Sequence, residues 1–284
     1  MSKTWVCGCG VQQSLQKASC IVCRAVQSND PMPEVLINGR WRLRLPQHRA
    51  DERGPKWETH EYARLDAMHK AIRPGDIIFD IGAEEGDMSA LLALWTGPFG
   101  EVHLFEPDAR VWPNIKAIWD ANNLKPPVGC FSGFAGHMST LNWSNPDVRE
   151  WPPGADGPLI SDHGFCQLRE RPDLNSVTLD DYGTMFDIAP HVLTMDVEGS
   201  ELQVLRGAEK MLRVCKPVVF VSVHPESMCL QWSQYENELY WFMEHELGYD
   251  RIYLDHQHER HVCWQHHDNR RLRITPQVVE RTEA

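Results

Sequence analysis

The chain has 284 residues, with 40 acidic against 28 basic side chains and a formal charge of −12. That length suits one large domain with a small appendage, and the acidic balance excludes nucleic-acid or anionic-membrane affinity built on bulk charge. No run of about 18 apolar residues and no signal-peptide core is present. A cytoplasmic chain without a membrane span is expected, in which the nine cysteines stay reduced.

Four of those cysteines open the chain in "CGCGVQQSLQKASCIVC": Cys7, Cys9, Cys20 and Cys23. A CxC pair and a CxxC pair can place four thiolates on a tetrahedral Zn²⁺. Residues 1–30 therefore read as a zinc-ribbon-like module, folded by its metal because so short a piece buries no core of its own. It is also the candidate surface for a protein partner. Residues 31–56 read as linker and exposed hairpin: "QSNDPMPE" ends the module, and "VLINGRWRLRLP" has an Asn-Gly turn with Arg40, Arg42 and Arg44 on one solvated face.

Apolar positions at helical spacing follow over 58–72, and "RPGD" leads into "IIFDIGAEEGDMSALLALW", a strand, glycine turn and helix. "GEVHLFEPD" is a second strand ending in Glu106, "WPNIKAIWDANN" a second helix and "PVGCFSGFAG" a third, short strand. Residues 142–175 are rich in loop signals, and loops at 137–175 are the expected walls of an acceptor pocket. "VLTMDVEGSELQVLRGA" supplies another strand and helix, "KPVVFVSVHPE" a further strand, and "DRIYLD" and "HVCWQHHD" two closing strands. Strands alternating with helices predict an α/β fold on a doubly wound, parallel sheet.

In "FDIGAEEG" the strand ends at Asp80, and Gly82 and Gly86 let a nucleotide-like ligand approach the backbone, with Glu106, 20 residues beyond Gly86, placed to accept ribose hydroxyls. The crowd of Glu84, Glu85 and Asp87 would repel a pyrophosphate but welcome a sulfonium, which favours S-adenosylmethionine over a dinucleotide. Glu85 and Asp87 otherwise read as solvated acids at a helix N-terminus.

"DIGAEEG", "LFEPD", "VTLDDY", "MDVEGSELQVLRGA" and "KPVVFVSVHPE", in this order, resemble the FkbM-type family of S-adenosylmethionine-dependent methyltransferases. The resemblance runs over about 57–265 and sets a domain at 57–275, with a polar tail at 276–284. It implies a seven-stranded class I (Rossmann-like) methyltransferase fold and methyl transfer to a hydroxyl of a sugar, glycan or natural product. It also implies a cofactor set of Asp80, Gly82, Ala83, Glu84, Gly86, Glu106 and Pro107. Glu84 departs from the asparagine usual in that turn.

Ligands of a doubly wound sheet lie beyond the carboxyl ends of its strands, where Asp196, Glu198 and His224 emerge. These three are the expected catalytic residues. They would serve either as a proton-accepting centre, with His224 the natural base near neutrality, or as a hard-metal site for Mg²⁺ or Mn²⁺. Glu201 reads as structural, in a helix opened by a capping box of Ser200 and Gln203. The five histidines of "DHQHERHVCWQHHD" have no clear ligand spacing and read as a solvated hairpin. The alternatives are a nucleic-acid methyltransferase, disfavoured by the absence of an Asn/Asp-Pro-Pro-aromatic or Pro-Cys signature, and a non-catalytic zinc-binding scaffold.

Overall fold

The structure, a computed structural model, describes residues 32–51, 61–140, 151, 174–256 and 259–272, with the backbone alone of 4–6, 12–14, 25–26, 52–53 and 159–160. Cys7, Cys9, Cys20 and Cys23 lie outside the described residues. Backbone pairings near them join β1 (Thr4–Val6) to β2 (Gln12–Ser14), and β3 (Ala25–Val26) to β10 (Leu159–Ile160).

The hairpin β4 (Glu34–Ile37) and β5 (Trp41–Arg44) is followed by helices α1 (Gln47–Arg53) and α2 (Tyr62–Ala71). Next come β6 (Ile77–Ile81), α3 (Asp87–Thr96), β7 (Glu101–Phe105), α4 (Trp112–Ala121), β8 (Gly129–Phe131) and β9 (Phe134–Ala135). The stretch predicted as one third strand is thus two: β8 joins the main sheet, and β9 turns away to pair with β11 (Ser176–Val177). Helix α5 (Leu179–Phe186), β12 (Val192–Met195), α6 (Glu201–Arg206), α7 (Glu209–Cys215), β13 (Val218–Val223), α8 (Pro225–Trp232) and α9 (Glu236–Trp241) continue the chain. A π-helical turn at Phe242–Glu246 leads to β14 (Tyr249–His256) and β15 (Arg260–His266).

Seven strands form the central sheet in the order β14-β15-β13-β12-β6-β7-β8. Strands β13, β12, β6, β7 and β8 run parallel, and β15 inserts antiparallel between β13 and β14. This is the expected seven-stranded α/β methyltransferase architecture. The chain leaves β6 toward β7 and β8, then returns to its other side at β12, so the order reverses between β6 and β12. Such a switch point opens a crevice at the strands' carboxyl ends.

Alternating side chains of the strands feed two cores, as the period of two requires. Val192, Val218 and Phe220 face one core with α2, α3 and α4, whereas Leu193, Val219 and Val221 face the other with α5 to α9. The hairpin expected to be exposed is so on one face only. Arg40, Arg42 and Arg44 point outward, but Ile37, Leu43 and Leu45 are fully buried in the first core, and Trp41 meets Trp95 of α3 edge-on at 5.0 Å. Three large apolar side chains on one face are too much surface to leave in water. Among the described residues no helix is long and apolar enough to cross a membrane.

Candidate active site

Strand β6 ends at Ile81, and the chain turns through Gly82 (φ +81°), Glu84 (φ +50°) and Gly86 (φ +87°) into α3. Glycine is required at the first of these: a Cβ on Gly82 would stand 1.9 Å from the backbone oxygen of Asp196. The turn therefore lies directly against the end of β12.

Glu106, just past β7, holds this turn in place. Its Oε2 accepts from the Glu84 amide at 2.9 Å and its Oε1 from the Asp108 amide at 2.8 Å. Burial pushes its pKa up to about 8, despite the two amides that favour the carboxylate. Asp80, buried and taking a hydrogen bond from the Ser89 hydroxyl, is likewise raised by burial, to about 7. Ala83 is buried and Pro107 half-buried beside the turn.

The acids of "GAEEGD" are not the solvated group the sequence suggests. Glu85 and Asp87 are 2% and 3% exposed. Arg49 of α1 reaches Asp87 at 2.6 Å and Glu84 at 2.9 Å, and His48 reaches Glu85 at 2.7 Å, where Asn114 also donates at 2.5 Å. The excess negative charge expected to greet a sulfonium is thus partly neutralised by Arg49, in a segment that reads as linker.

The second half of the site is the rim formed by β12, β13 and the β14–β15 hairpin. Asp196 extends β12, its amide donating to Ile81 at 2.9 Å. Glu198 has a left-handed backbone (φ +52°), fixed where Gln231 donates to its carbonyl at 2.6 Å. A non-glycine residue there is strained, as is common at functional sites. His224 follows β13, and the three predicted residues meet: its Nε2 lies 3.6 Å from Asp196 Oδ1 and 3.6 Å from Glu198 Oε2.

Glu201, read as structural, belongs to this centre too. It is fully buried and accepts from His224 Nδ1–H at 2.7 Å and from the Gly199 amide at 2.9 Å. The capping box is not formed: the Ser200 side chain makes no cap hydrogen bond and instead accepts from Trp232 Nε1 at 3.3 Å.

Glu259, Glu61, Arg64 and His261 complete the cluster and were not legible as site residues. Glu259 Oε2 stands 2.6 Å from His224 Nε2, a close ion pair. Its Oε1 accepts from His261 Nε2 at 2.9 Å, and His261 Nδ1 lies 2.5 Å from Asp255. Far from being solvated, His261 is fully buried, because β15 is an inner strand. The one signal in the sequence is the spacing of Glu259 and His261, two apart as on one face of a strand, although Glu259 stands just before β15. Arg64 Nη1 bonds Glu61 at 2.7 Å and approaches Asp196 at 3.4 Å.

Burial alone would lower the pKa of His224, but its contacts with Glu201 and Glu259 and the charge of Asp196 outweigh this and raise it to about 11. Burial raises Glu198 to about 7, against the pull of His224. Burial and the neighbouring charge of Glu259 also raise Asp196.

A family model described as the methyltransferase FkbM domain matches residues 80–251. Among solved structures, methyltransferase FkbM from Methylobacillus flagellatus KT is similar at 18% identity and a TM-score of 0.46, over 70% of this chain and 50% of that one. The chain thus spans half the length of that protein. A putative rRNA methylase from Clostridium thermocellum is similar at 14% identity and a TM-score of 0.42, over 71% and 92% of the two chains. Aeropyrum pernix fibrillarin, solved with S-adenosyl-L-methionine, is similar at 17% identity and a TM-score of 0.36, over 70% and 71%. No curated protein matches the sequence. The family match starts at Asp80, takes in the glycine turn, Glu106, Asp196, Glu198, Glu201 and His224, and covers more than half of the sequence: the chain belongs to the FkbM methyltransferase domain family.

Proposed function

We propose that this chain is an S-adenosylmethionine-dependent O-methyltransferase acting on a hydroxyl of a sugar, glycan or natural-product-like small molecule. One observation carries the reading. The glycine turn and the acid rim are contiguous, Gly82 lying against the Asp196 backbone, so a donor seated on the turn has Asp196 and Glu198 at its reactive end.

The residues present fit that donor. Asp80, Gly82, Ala83, Glu84, Gly86, Glu106 and Pro107 would form its cradle, with the Gly82 backbone bare and the Glu106 carboxylate beside it as a ribose acceptor. When bound, the donor supplies an electrophilic methyl carbon, to which the acceptor oxygen bonds as the carbon–sulfur bond breaks toward sulfur. The acceptor's proton then needs a base. His224 is poorly placed for this, because its Nδ1–H is committed to Glu201 and three carboxylates surround Nε2 and favour a proton there. The carboxylates at the rim suit the role better. Glu198 is the foremost, since its side chain is 36% exposed where an acceptor would enter.

The four N-terminal cysteines are proposed as a structural zinc site on the strength of their spacing. Metal analysis should find zinc in the purified chain and lose it in a Cys20→Ser, Cys23→Ser variant.

The functional reading is tested by calorimetry with S-adenosylmethionine and by labelled-methyl incorporation into sugar, natural-product and nucleic-acid pools. We expect donor binding, weakened by about 0.5–1.5 kcal/mol in Glu106→Ala through loss of a hydrogen-bond acceptor for the ribose, and label in hydroxyl compounds. Label in nucleic acid alone overturns the acceptor class, and failure to bind donor overturns the enzyme.

A further inference from the structure

We propose that Glu259, one residue before β15, is a positioning residue for methyl transfer: with Glu201 it holds the His224 ring from both nitrogens, as an imidazolium facing Asp196 and Glu198. Glu259 Oε2 stands 2.6 Å from Nε2, and Glu201 Oε1 accepts from Nδ1–H at 2.7 Å. The pairing of β13 with β15 dictates the first contact, since Val223 lies opposite Arg260 and one further step sets His224 opposite Glu259. The matched family segment ends at residue 251, so this partner comes from a part of the chain that the family model does not reach.

Glu259 is itself held. Its Oε1 accepts from His261 Nε2 at 2.9 Å, and His261 Nδ1 lies 2.5 Å from Asp255 across the hairpin. Acids and imidazoles therefore alternate from Asp255 through His261, Glu259 and His224 to Glu201. The side chains of His261, Glu259 and Glu201 are at most 3% exposed. A buried ionic row of this kind is a poor stabiliser, because desolvating its charges costs about as much as their attraction returns, and well-packed apolar side chains of the same volume often do better. Its place at the rim, beside Asp196 and Glu198, points to a use in the chemistry.

The same contact takes His224 out of the expected hard-metal site: neighbouring ligands of one ion at about 2.1 Å stand about 3 Å apart, and Nε2 is closer than that to Glu259. Toward the rim, Nε2 lies 3.6 Å from Asp196 Oδ1 and 3.6 Å from Glu198 Oε2, too far for hydrogen bonds but near enough for charge to act. The charged groups around the ring are Glu201 of α6, Asp196 and Glu198 beyond β12, and Glu259 before β15, with Arg64 of α2 and its partner Glu61 behind Asp196. These acids keep the ring protonated, and the fixed cation in turn favours the ionised form of Glu198 against burial. An ionised Glu198 is what proton removal from the acceptor needs. That consequence rests on the methyltransferase reading, whereas the locked ring does not.

The test is nuclear magnetic resonance of the full chain carrying isotope-labelled histidine, with the ring nitrogens of His224 assigned by their loss in His224→Gln. The wild type should carry a proton on both nitrogens at about pH 9, well above the ordinary imidazole range. Glu259→Gln keeps the shape and an acceptor oxygen but not the charge, so the ring should lose its proton about 1–3 pH units lower, and kcat should fall about tenfold or more at an unchanged donor KM. A neutral ring in the wild type at that pH overturns the lock, whether or not any variant folds, and so does an unchanged ring titration in folded Glu259→Gln. A shifted titration with full kcat overturns the positioning role, as does a lowered Tm with unchanged kinetics of the folded fraction. Calorimetry with S-adenosylmethionine on the same preparations keeps the two readings apart: a charged ring without donor binding overturns the methyltransferase reading alone.

Discussion

The Arg49 guanidinium lies 2.6 Å from the Asp87 carboxylate at the start of α3, both side chains at most 5% exposed. The same Nη2 reaches Glu84 at 2.9 Å and Nη1 donates to it at 3.2 Å, so α1 clamps the turn that opens the cofactor crevice. Removing the cation would take from buried Asp87 its 2.6 Å ion pair, while Glu85 keeps His48 and Asn114, and the Glu84 contact, on a side chain 42% exposed, is screened. Arg49→Met should therefore cost about 3–5 kcal/mol of stability, read by urea unfolding. Arg49→Lys should recover only part of it, because an ammonium cannot fork between two carboxylates. A loss below about 1 kcal/mol in Arg49→Met would show that the clamp is incidental.

Gly82→Ala tests the contact between the two halves of the site. The new Cβ would stand 1.9 Å from Asp196 O on a residue with φ +81°, so β6 and β12 must part or the turn must refold. Backbone strain of about 1–3 kcal/mol adds to the clash. We expect a lowered Tm together with lost donor binding. Gly75→Ala, with φ +88° but open space around its Cβ, isolates the strain from the clash and should leave donor binding intact.

The strands were legible because each is a short apolar run that a turn residue ends, and the acids at their carboxyl ends followed from strand direction alone. Asp196, Glu198 and His224 were placed together on that basis, and they do meet. The partners of those residues were not legible, for a physical reason. Arg49 meets Asp87 across 38 residues, from a charged stretch that carries no apolar period. Glu259 stands one residue before β15 and His261 lies within it, but which way they turn depends on β15 inserting beside β13, a non-local pairing that local pattern does not encode. Glu201 looked like an ordinary helix-start acid. Only the return of β13 alongside β12 brings His224 onto it.

Glu106 makes stability depend on pH. Its folded pKa of about 8 lies above the ordinary 4.5, so between these values the folded chain holds a proton that the unfolded chain has released. Its stabilising contribution is complete below about pH 4.5 and is lost as pH rises to about 8. Glu106→Gln cannot titrate, so the difference in unfolding free energy should shift in the variant's favour across this window, by at most about 1.4 kcal/mol per pH unit. Any fixed penalty from the amide facing a backbone N–H offsets the curve without tilting it. Parallel curves from pH 5 to 8 would show that Glu106 is already ionised, with its two amide hydrogen bonds outweighing burial.

Glu198 and Glu201 separate proton transfer from positioning. Glu198 has a partly exposed side chain at the rim, so Glu198→Gln should stay folded and bind donor while methyl transfer falls about a hundredfold or more. Glu201 acts through His224: Glu201→Gln can still accept from Nδ1–H through its amide oxygen, but it removes the charge and puts an NH₂ where Oε2 has no hydrogen-bond partner. That buried NH₂ costs about 1–3 kcal/mol of stability. A merely structural Glu201 would lower Tm and leave the kinetics of the folded fraction unchanged. A positioning Glu201 lowers kcat at an unchanged donor KM, by less than Glu198→Gln does, and Glu201→Asp, which keeps the charge but shortens the reach to His224, does not restore it. Measuring kcat, donor KM and Tm on the three variants decides between the roles, and full turnover in folded Glu198→Gln would remove Glu198 from the chemistry.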